Sequence, residues 1–229
     1  MSVSRLQVAI DGPAGSGKST VGARLAERLG CRFLDTGLMY RAVTSCALHR
    51  GIELERGQVL ADLASKLHFE LGSDVLLVNG RPAGAELRSP QVDANVSIVS
   101  AHPRVREIMV SRQRQLAEDD CIVMVGRDIG TTVLPSAPAK LWLTASPATR
   151  AERRLADVFG GQPGRTTGDI ASTLNRRDHL DAARPTSPLR RATDAIVIET
   201  DGKSVEETVR EALAAVRSRI HPTSVSDAT

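Results

Sequence analysis

The chain has 229 residues, enough for one catalytic domain carrying a small appendage or two. Lys and Arg number 30 against 27 Asp and Glu, a formal charge of +3 that suits a small anionic ligand better than a nucleic-acid arm. One Trp, one Tyr and three Phe are too few for the stacking platforms of single-strand binders. Cys31, Cys46 and Cys121 are odd in number, lie in apolar contexts and lack CxxC spacing, so they read as buried thiols in a reducing compartment. With no leader-like opening and no apolar run near the roughly 18 residues of a membrane span, a soluble cytoplasmic protein is expected.

"LQVAI" is a short strand, and "KSTVGARLAERLG" a helix closed by Gly30. "RFL", ending at Asp35, is a second strand, and "GLMYRAVTSCALHRG" a second helix. Between about Lys66 and Pro90, "HFEL" and "VLLV" flank Gly72 to Asp74, and "NGR" follows. That pattern predicts a small inserted β element. "RVREIMVSRQRQLAEDD" is a long amphipathic helix, and "CIVMV" has the continuous apolar character of a strand buried on both faces.

"AKLWLTA" is a further strand, "PATRAERRLADV" a helix and "FGGQPGRTTG" a polar, glycine-rich loop that reads as a lid over about 150–170. "DIASTLNRRDHLDAAR" (helix), "AIVIET" (strand) and "SVEETVREALAAVRSRI" (helix) complete the pattern, the last with Ser204 and Glu207 in capping-box spacing. Residues 221–229 read as a disordered tail. Strands separated by helices specify an α/β fold of three layers around a parallel sheet.

Gly12, Gly17, Lys18 and Ser19 match G-x-x-x-x-G-K-[ST] in the required strand–loop–helix context. Backbone N–H groups of Gly12, Pro13 to Ser16 (Pro13, Ala14, Gly15, Ser16) and Gly17, excepting the proline, with the helix start through Thr20, make a phosphate cradle. Lys18 is expected on the β- and γ-phosphates of ATP and Ser19 on Mg²⁺. The Asn-Lys-x-Asp signal of a guanine-specific switch protein is missing. "IVMVGRD" ends in Arg127 and Asp128, and a cation at the carboxyl end of a strand faces the ligand crevice. The second ligand is therefore anionic as well. If that acceptor is a phosphate, its oxygen is already ionised and no histidine base is needed. His49, His68, His102, His179 and His221 share no ligand spacing and read as surface or capping residues.

Arg150, Arg153 and Arg154 share a helix face at i, i+3, i+4, either as the edge of a lid closing on ATP or as a solvated face with Glu152 and Asp157. Arg177, Asp181 and Arg184 share another, as ligand contacts or as a surface salt bridge.

The blocks "IDGPAGSGKST", "FLDTGLMYRAV", "VSIVSAHPRVRE", "GRDIGTTVLPSAPAKLWLTAS", "RRDHLDAARPTSPL" and "DAIVIET" resemble the bacterial cytidylate kinases of the P-loop nucleoside-monophosphate kinases, over roughly Leu6 to Ile220. The resemblance implies a P-loop NTPase fold with a monophosphate-binding region over 36–100. It also implies transfer of the γ-phosphoryl group of ATP to CMP and dCMP. Thr36, Arg41, Ser97, Arg106, Arg127, Asp128, Arg177, Asp181 and Arg184 are then expected around the acceptor. Ser97, Arg106 and Asp128 would read the cytosine edge, Arg41, Arg127 and Arg177 hold the phosphate, and Asp181 take the sugar hydroxyl. Lys18, Arg127, Arg153 and Arg177 are the residues expected to neutralise charge during transfer. Thr36 stands where the family has serine and keeps the hydroxyl. "AGAELR" stands where the family has "VSxEIR", and Pro185 follows Arg184 and favours an extended backbone there.

Other acceptors in the same fold are UMP, AMP and shikimate. A regulatory module that binds ATP without phosphorylating anything is the rival of another class, and a nucleic-acid-binding protein is disfavoured. The expected partners are small nucleotides, with neither nucleic acid nor membrane, and the chain is expected to be a monomer.

Overall fold

The structure is a computed structural model that describes residues 6–72, 75–118, 121–159 and 166–220. Within the lid read over about 150–170, residues 160–165 lie outside the described residues, as does the tail read at 221–229. Strands β1 (Gln7–Asp11), β2 (Arg32–Asp35), β6 (Ile122–Gly126), β7 (Ala139–Thr144) and β8 (Ile196–Glu199) form one sheet in the order β2-β6-β1-β7-β8. Every neighbouring pair is parallel.

Alternation along the strands builds the two faces. Val8, Ile10, Val123 and Val125 point into one core with helices α1 (Lys18–Leu29) and α8 (Val205–Ile220). Ala9, Leu34, Ile122 and Met124 point into the other, with α2 (Thr36–His49), α3 (Gly57–Lys66), α4 (Pro90–Ala101) and α5 (Pro103–Leu116). The result is the expected three-layer α/β fold, with β1 and β6 apolar on both faces because both are covered.

The region around 66–90 forms a separate antiparallel sheet of β3 (Phe69–Leu71), β4 (Leu76–Val78) and β5 (Arg81–Pro82), followed by a 3₁₀ turn at Ala85–Arg88. Past the carboxyl edge of the main sheet, α6 (Pro147–Phe159) packs on α7 (Thr167–Ala183), where Ala151, Ile170 and Leu174 cluster with Ala14. Helices α3 and α4 complete the layer and were not read from the sequence. The break between α4 and α5 falls at His102, held extended at φ −67°, ψ 120° by the following proline.

The reading of three buried thiols is corrected. Arg32 lies opposite Ile122 in the β2–β6 register, so Cys31 and Cys121, one residue before each, are side by side and form a disulfide. Cys46 is free and only partly buried.

Candidate active site

The loop between β1 and α1 sits at the carboxyl edge of the sheet, between the ends of β6 and β7. That position is where open α/β sheets form their ligand crevice. Gly12 has φ 151° and a Cβ there would lie 2.0 Å from the Leu143 carbonyl oxygen, while Gly17 enters α1 at φ 86°. Both conformations demand glycine. Lys18 Nζ turns back across the loop to the Pro13 carbonyl at 2.6 Å. Burial pushes its ammonium well below the ordinary value and the neighbouring Arg127 adds to this, against the opposing charges of Asp178, Asp35 and Asp11. Ser19 Oγ donates to Asp35 Oδ2 at 2.8 Å, and the other Asp35 oxygen caps α2 at Gly37 N.

The loop is held from outside by Asp178, which the sequence reading passed over, and by Arg150, which it read only as part of a helix face. Asp178 on α7 accepts from Ala14 N at 2.9 Å, and Arg150 on α6 donates to the Ala14 carbonyl and to the Asp178 carboxylate. Arg150 is buried, which removes the solvated-face reading. Of its two neighbours on that helix, Arg153 donates to the Thr200 hydroxyl and carbonyl, both at 2.7 Å, beyond the end of β8. Arg154 turns the other way and lies 2.8 Å from Asp93 Oδ2.

Asp93, on α4, is a second residue without a sequence signal. Its Oδ1 accepts from Arg41 Nη2 at 2.5 Å and from Arg177 Nη1 at 2.7 Å. Burial by itself would raise the Asp93 carboxyl, but the guanidiniums of Arg177, Arg41 and Arg154 outweigh it and hold the group well below the usual carboxylate range.

A second ionic group lies alongside and is joined to the loop by Arg127. Arg106 Nη2 donates to Asp128 Oδ2 at 2.6 Å and its guanidinium lies over the Tyr40 ring, 5.1 Å from the centroid. Asp181 accepts from Arg127 Nε at 3.0 Å and from Ser97 Oγ at 3.3 Å, with Arg184 Nη1 3.5 Å away. Asp181 is only 4% exposed and does not pair with Arg177, so the surface-salt-bridge reading fails. Arg184 ends α7 extended, at φ −59°, ψ 134°, as Pro185 requires. Thr36 Oγ1 donates to the Val125 carbonyl at 2.9 Å.

Ala14 to Thr20 and all nine residues expected around the acceptor, with Arg153, line one cavity of about 1030 Å³. Gly12 and Pro13 lie behind it as part of the loop backbone. The cavity is lined by the glycine loop and by arginines and aspartates of the two ionic groups. It can bring two anions together.

The cytidylate kinase family model matches residues 8–218. The chain belongs to the cytidylate kinase family. A cytidylate kinase of Rhodococcus jostii (strain RHA1) is 43% identical over 224 residues, covering 96% of this chain and 98% of the relative. One of Geobacillus kaustophilus (strain HTA426) is 46% identical, covering 94% and 98%. A crystal structure of an uncharacterized protein from Eubacterium ventriosum superposes with a TM-score of 0.52 at 14% identity, covering 94% of this chain and 99% of that one, a likeness of fold alone. Among the described residues no helix is long and apolar enough to cross a membrane.

Proposed function

We propose that this member of the cytidylate kinase family transfers the γ-phosphoryl group of ATP to CMP and dCMP, giving ADP and the corresponding diphosphate. The observation that carries the reading is the shared cavity, in which the glycine loop and four arginines, Arg41, Arg127, Arg154 and Arg177, open onto the same space. In the transfer the bond from Pγ to the β-bridging oxygen breaks as an oxygen of the acceptor phosphate bonds to Pγ. That oxygen is already ionised, so the chain supplies positioning and positive charge rather than a base.

Lys18 leaves the Pro13 carbonyl to reach the β- and γ-phosphates, and the loop N–H groups hold the remaining oxygens. Arg41 and Arg177 take the acceptor phosphate. Arg127, whose Nη1 donates to the Gly12 carbonyl at 2.5 Å, stands between donor and acceptor. Asp128, fixed by Arg106, accepts from the exocyclic amine of cytosine. Asp181 takes the 2′-hydroxyl when the sugar has one. Arg153, tied to Thr200 beside the loop, serves the ATP side.

Ser19 Oγ and Asp35 Oδ2 place two hard oxygen donors together at the loop, a set that fits Mg²⁺. When bound, the ion would neutralise the β- and γ-phosphate oxygens. The reading takes the chain as a monomer with nucleotides as its partners, neither nucleic acid nor membrane, working in the cytoplasm.

An ADP-release assay with CMP, dCMP, UMP, AMP and shikimate tests the proposal. CMP and dCMP turning over at least about tenfold faster than the others is the expected result. Preference for UMP, AMP or shikimate would move the chain to another acceptor, and no phosphoryl transfer at all would leave an ATP-binding module.

A further inference from the structure

Three guanidiniums from three different helices meet on one carboxylate. Arg41 comes from α2, Arg154 from α6 and Arg177 from α7, and their side chains are 8%, 12% and 13% exposed around an Asp93 that is 14% exposed. Like charges brought this close and this far from water repel each other and lose hydration. Asp93 is the one acid among the described residues that an ion-pair contact joins to all three.

The three arginines line the cavity and Asp93 does not. The carboxylate therefore gathers them from behind, with the cavity on their other side. They also have donor capacity to spare. Nε of Arg154 and Nε of Arg177 are buried and find no hydrogen-bond partner among the described residues. Unfilled buried donors of this kind are costly unless a ligand completes them. Three guanidiniums against one carboxylate leave a net charge of +2, which matches the dianion of a phosphate monoester at neutral pH.

We propose that Asp93 is a positioning residue for the acceptor phosphate: it fixes Arg41, Arg154 and Arg177 in one geometry and leaves their remaining donors, and a charge of +2, to a phosphate monoester. This rests on the reading of Arg41 and Arg177 as acceptor-phosphate ligands and adds Arg154 to them. The donor side has its own anchors, Asp178 for the loop and Asp35 for Ser19, and makes no use of Asp93.

The test uses the purified full chain and separates the two substrates. Asp93→Asn keeps the shape and removes the charge. Its kcat/KM for CMP should fall about 10- to 100-fold, while KM for ATP stays within about twofold, since an aligned ionic contact of this class is worth roughly one to two decades. Asp93→Glu, which restores the charge, should recover most of the loss. If the Asn variant does not fold, Asp93→Ser, which fits the same space, is read in the same way. Unchanged or improved use of CMP, or CMP and ATP constants that worsen together in step with a falling Tm, would overturn the proposal. Arg177→Ala serves as the control. Impaired CMP use in that variant with none in Asp93→Asn rejects Asp93 alone, whereas unimpaired CMP use in Arg177→Ala rejects the acceptor-phosphate reading and this proposal with it.

Discussion

Arg127 Nε donates to Asp181 Oδ2 at 3.0 Å while the same guanidinium reaches the Gly12 carbonyl through Nη1. One side chain thus ties the acid proposed for the acceptor sugar to the backbone of the phosphate loop. Asp181 also takes Ser97 Oγ and lies near Arg184, so its carboxylate is shared by three neighbours inside the cavity.

Asp181→Ala should therefore have two effects. Loss of a charged acceptor for the 2′-hydroxyl should lower kcat/KM for CMP by about 10- to 100-fold, since such hydrogen bonds contribute roughly 1.5–3 kcal/mol. Use of dCMP should fall less, through the slackened Arg127 and Arg184, so that the preference between the two acceptors narrows. Steady-state kinetics with both acceptors decides. Equal losses for CMP and dCMP would remove Asp181 from the sugar and leave it as an anchor for arginines.

Lys18→Ala should cost at least about 2.7 kcal/mol of transition-state stabilisation, on the order of a hundredfold in kcat. The fold should survive, because the Lys18 ammonium bonds only within the loop, to the Pro13 carbonyl and the Ser16 hydroxyl, and its charge is disfavoured by burial. Kinetics alongside a thermal melt checks both halves. More than about a tenth of the rate remaining would mean that Lys18 does not stabilise the transferring phosphoryl group.

The fold was legible where local pattern and tertiary role coincide. The apolar runs of β1 and β6 read as doubly covered strands because they are, and the Ser204–Glu207 capping box forms as spaced, with Glu207 N on Ser204 Oγ at 3.2 Å. The loop motif carries its own geometry in its glycines. What escaped reading depends on contacts between distant segments. Asp93 and Asp178 sit in ordinary helical sequence, and only the packing of α4 and α7 against Arg154 and Arg150 of α6 turns them inward. The disulfide escaped for the same reason, since the pairing of Cys31 with Cys121 is a property of strand register and not of spacing along the chain. Helix α4 has a weakly amphipathic sequence, because Ser97 and Ser100 lie on its buried face and Ile98 on its exposed one, so periodicity gives it little signal.

Ser19 and Asp35 supply the oxygens that fit the metal. Ser19→Ala should raise the Mg²⁺ concentration needed for half-maximal rate about tenfold or more, and Asp35→Asn should do likewise while also weakening the α2 cap at Gly37 N. Titrating activity against free Mg²⁺ after chelation is the measurement. A half-maximal concentration unchanged in both variants would place the ion elsewhere. A shift with Asp35→Asn alone would keep the carboxylate and drop the hydroxyl.

Asp11 makes stability depend on pH in the direction opposite to most carboxylates. The side chain is 3% exposed, and burial lifts its pKa from the ordinary 3.8 to about 6, with the Asp128 charge adding to the rise. The backbone N–H groups of Gly130 and Ile129, each at 2.8 Å, and the Lys18 charge pull the other way without cancelling it. Between about pH 4 and pH 6 the folded protein then binds more protons at this site than the unfolded chain does. Its contribution is present in full below the lower value and is lost as pH rises through the upper one. Asp93, with its depressed pKa, has the opposite slope, but it is common to wild type and variant and cancels in their difference. The stability of the wild type relative to Asp11→Asn, read by denaturant unfolding at pH 4, 5, 6 and 7, should therefore decline by about 2–3 kcal/mol across the series. A difference that stays constant, or one that grows with pH, would mean that the two backbone N–H groups hold Asp11 ionised despite its burial.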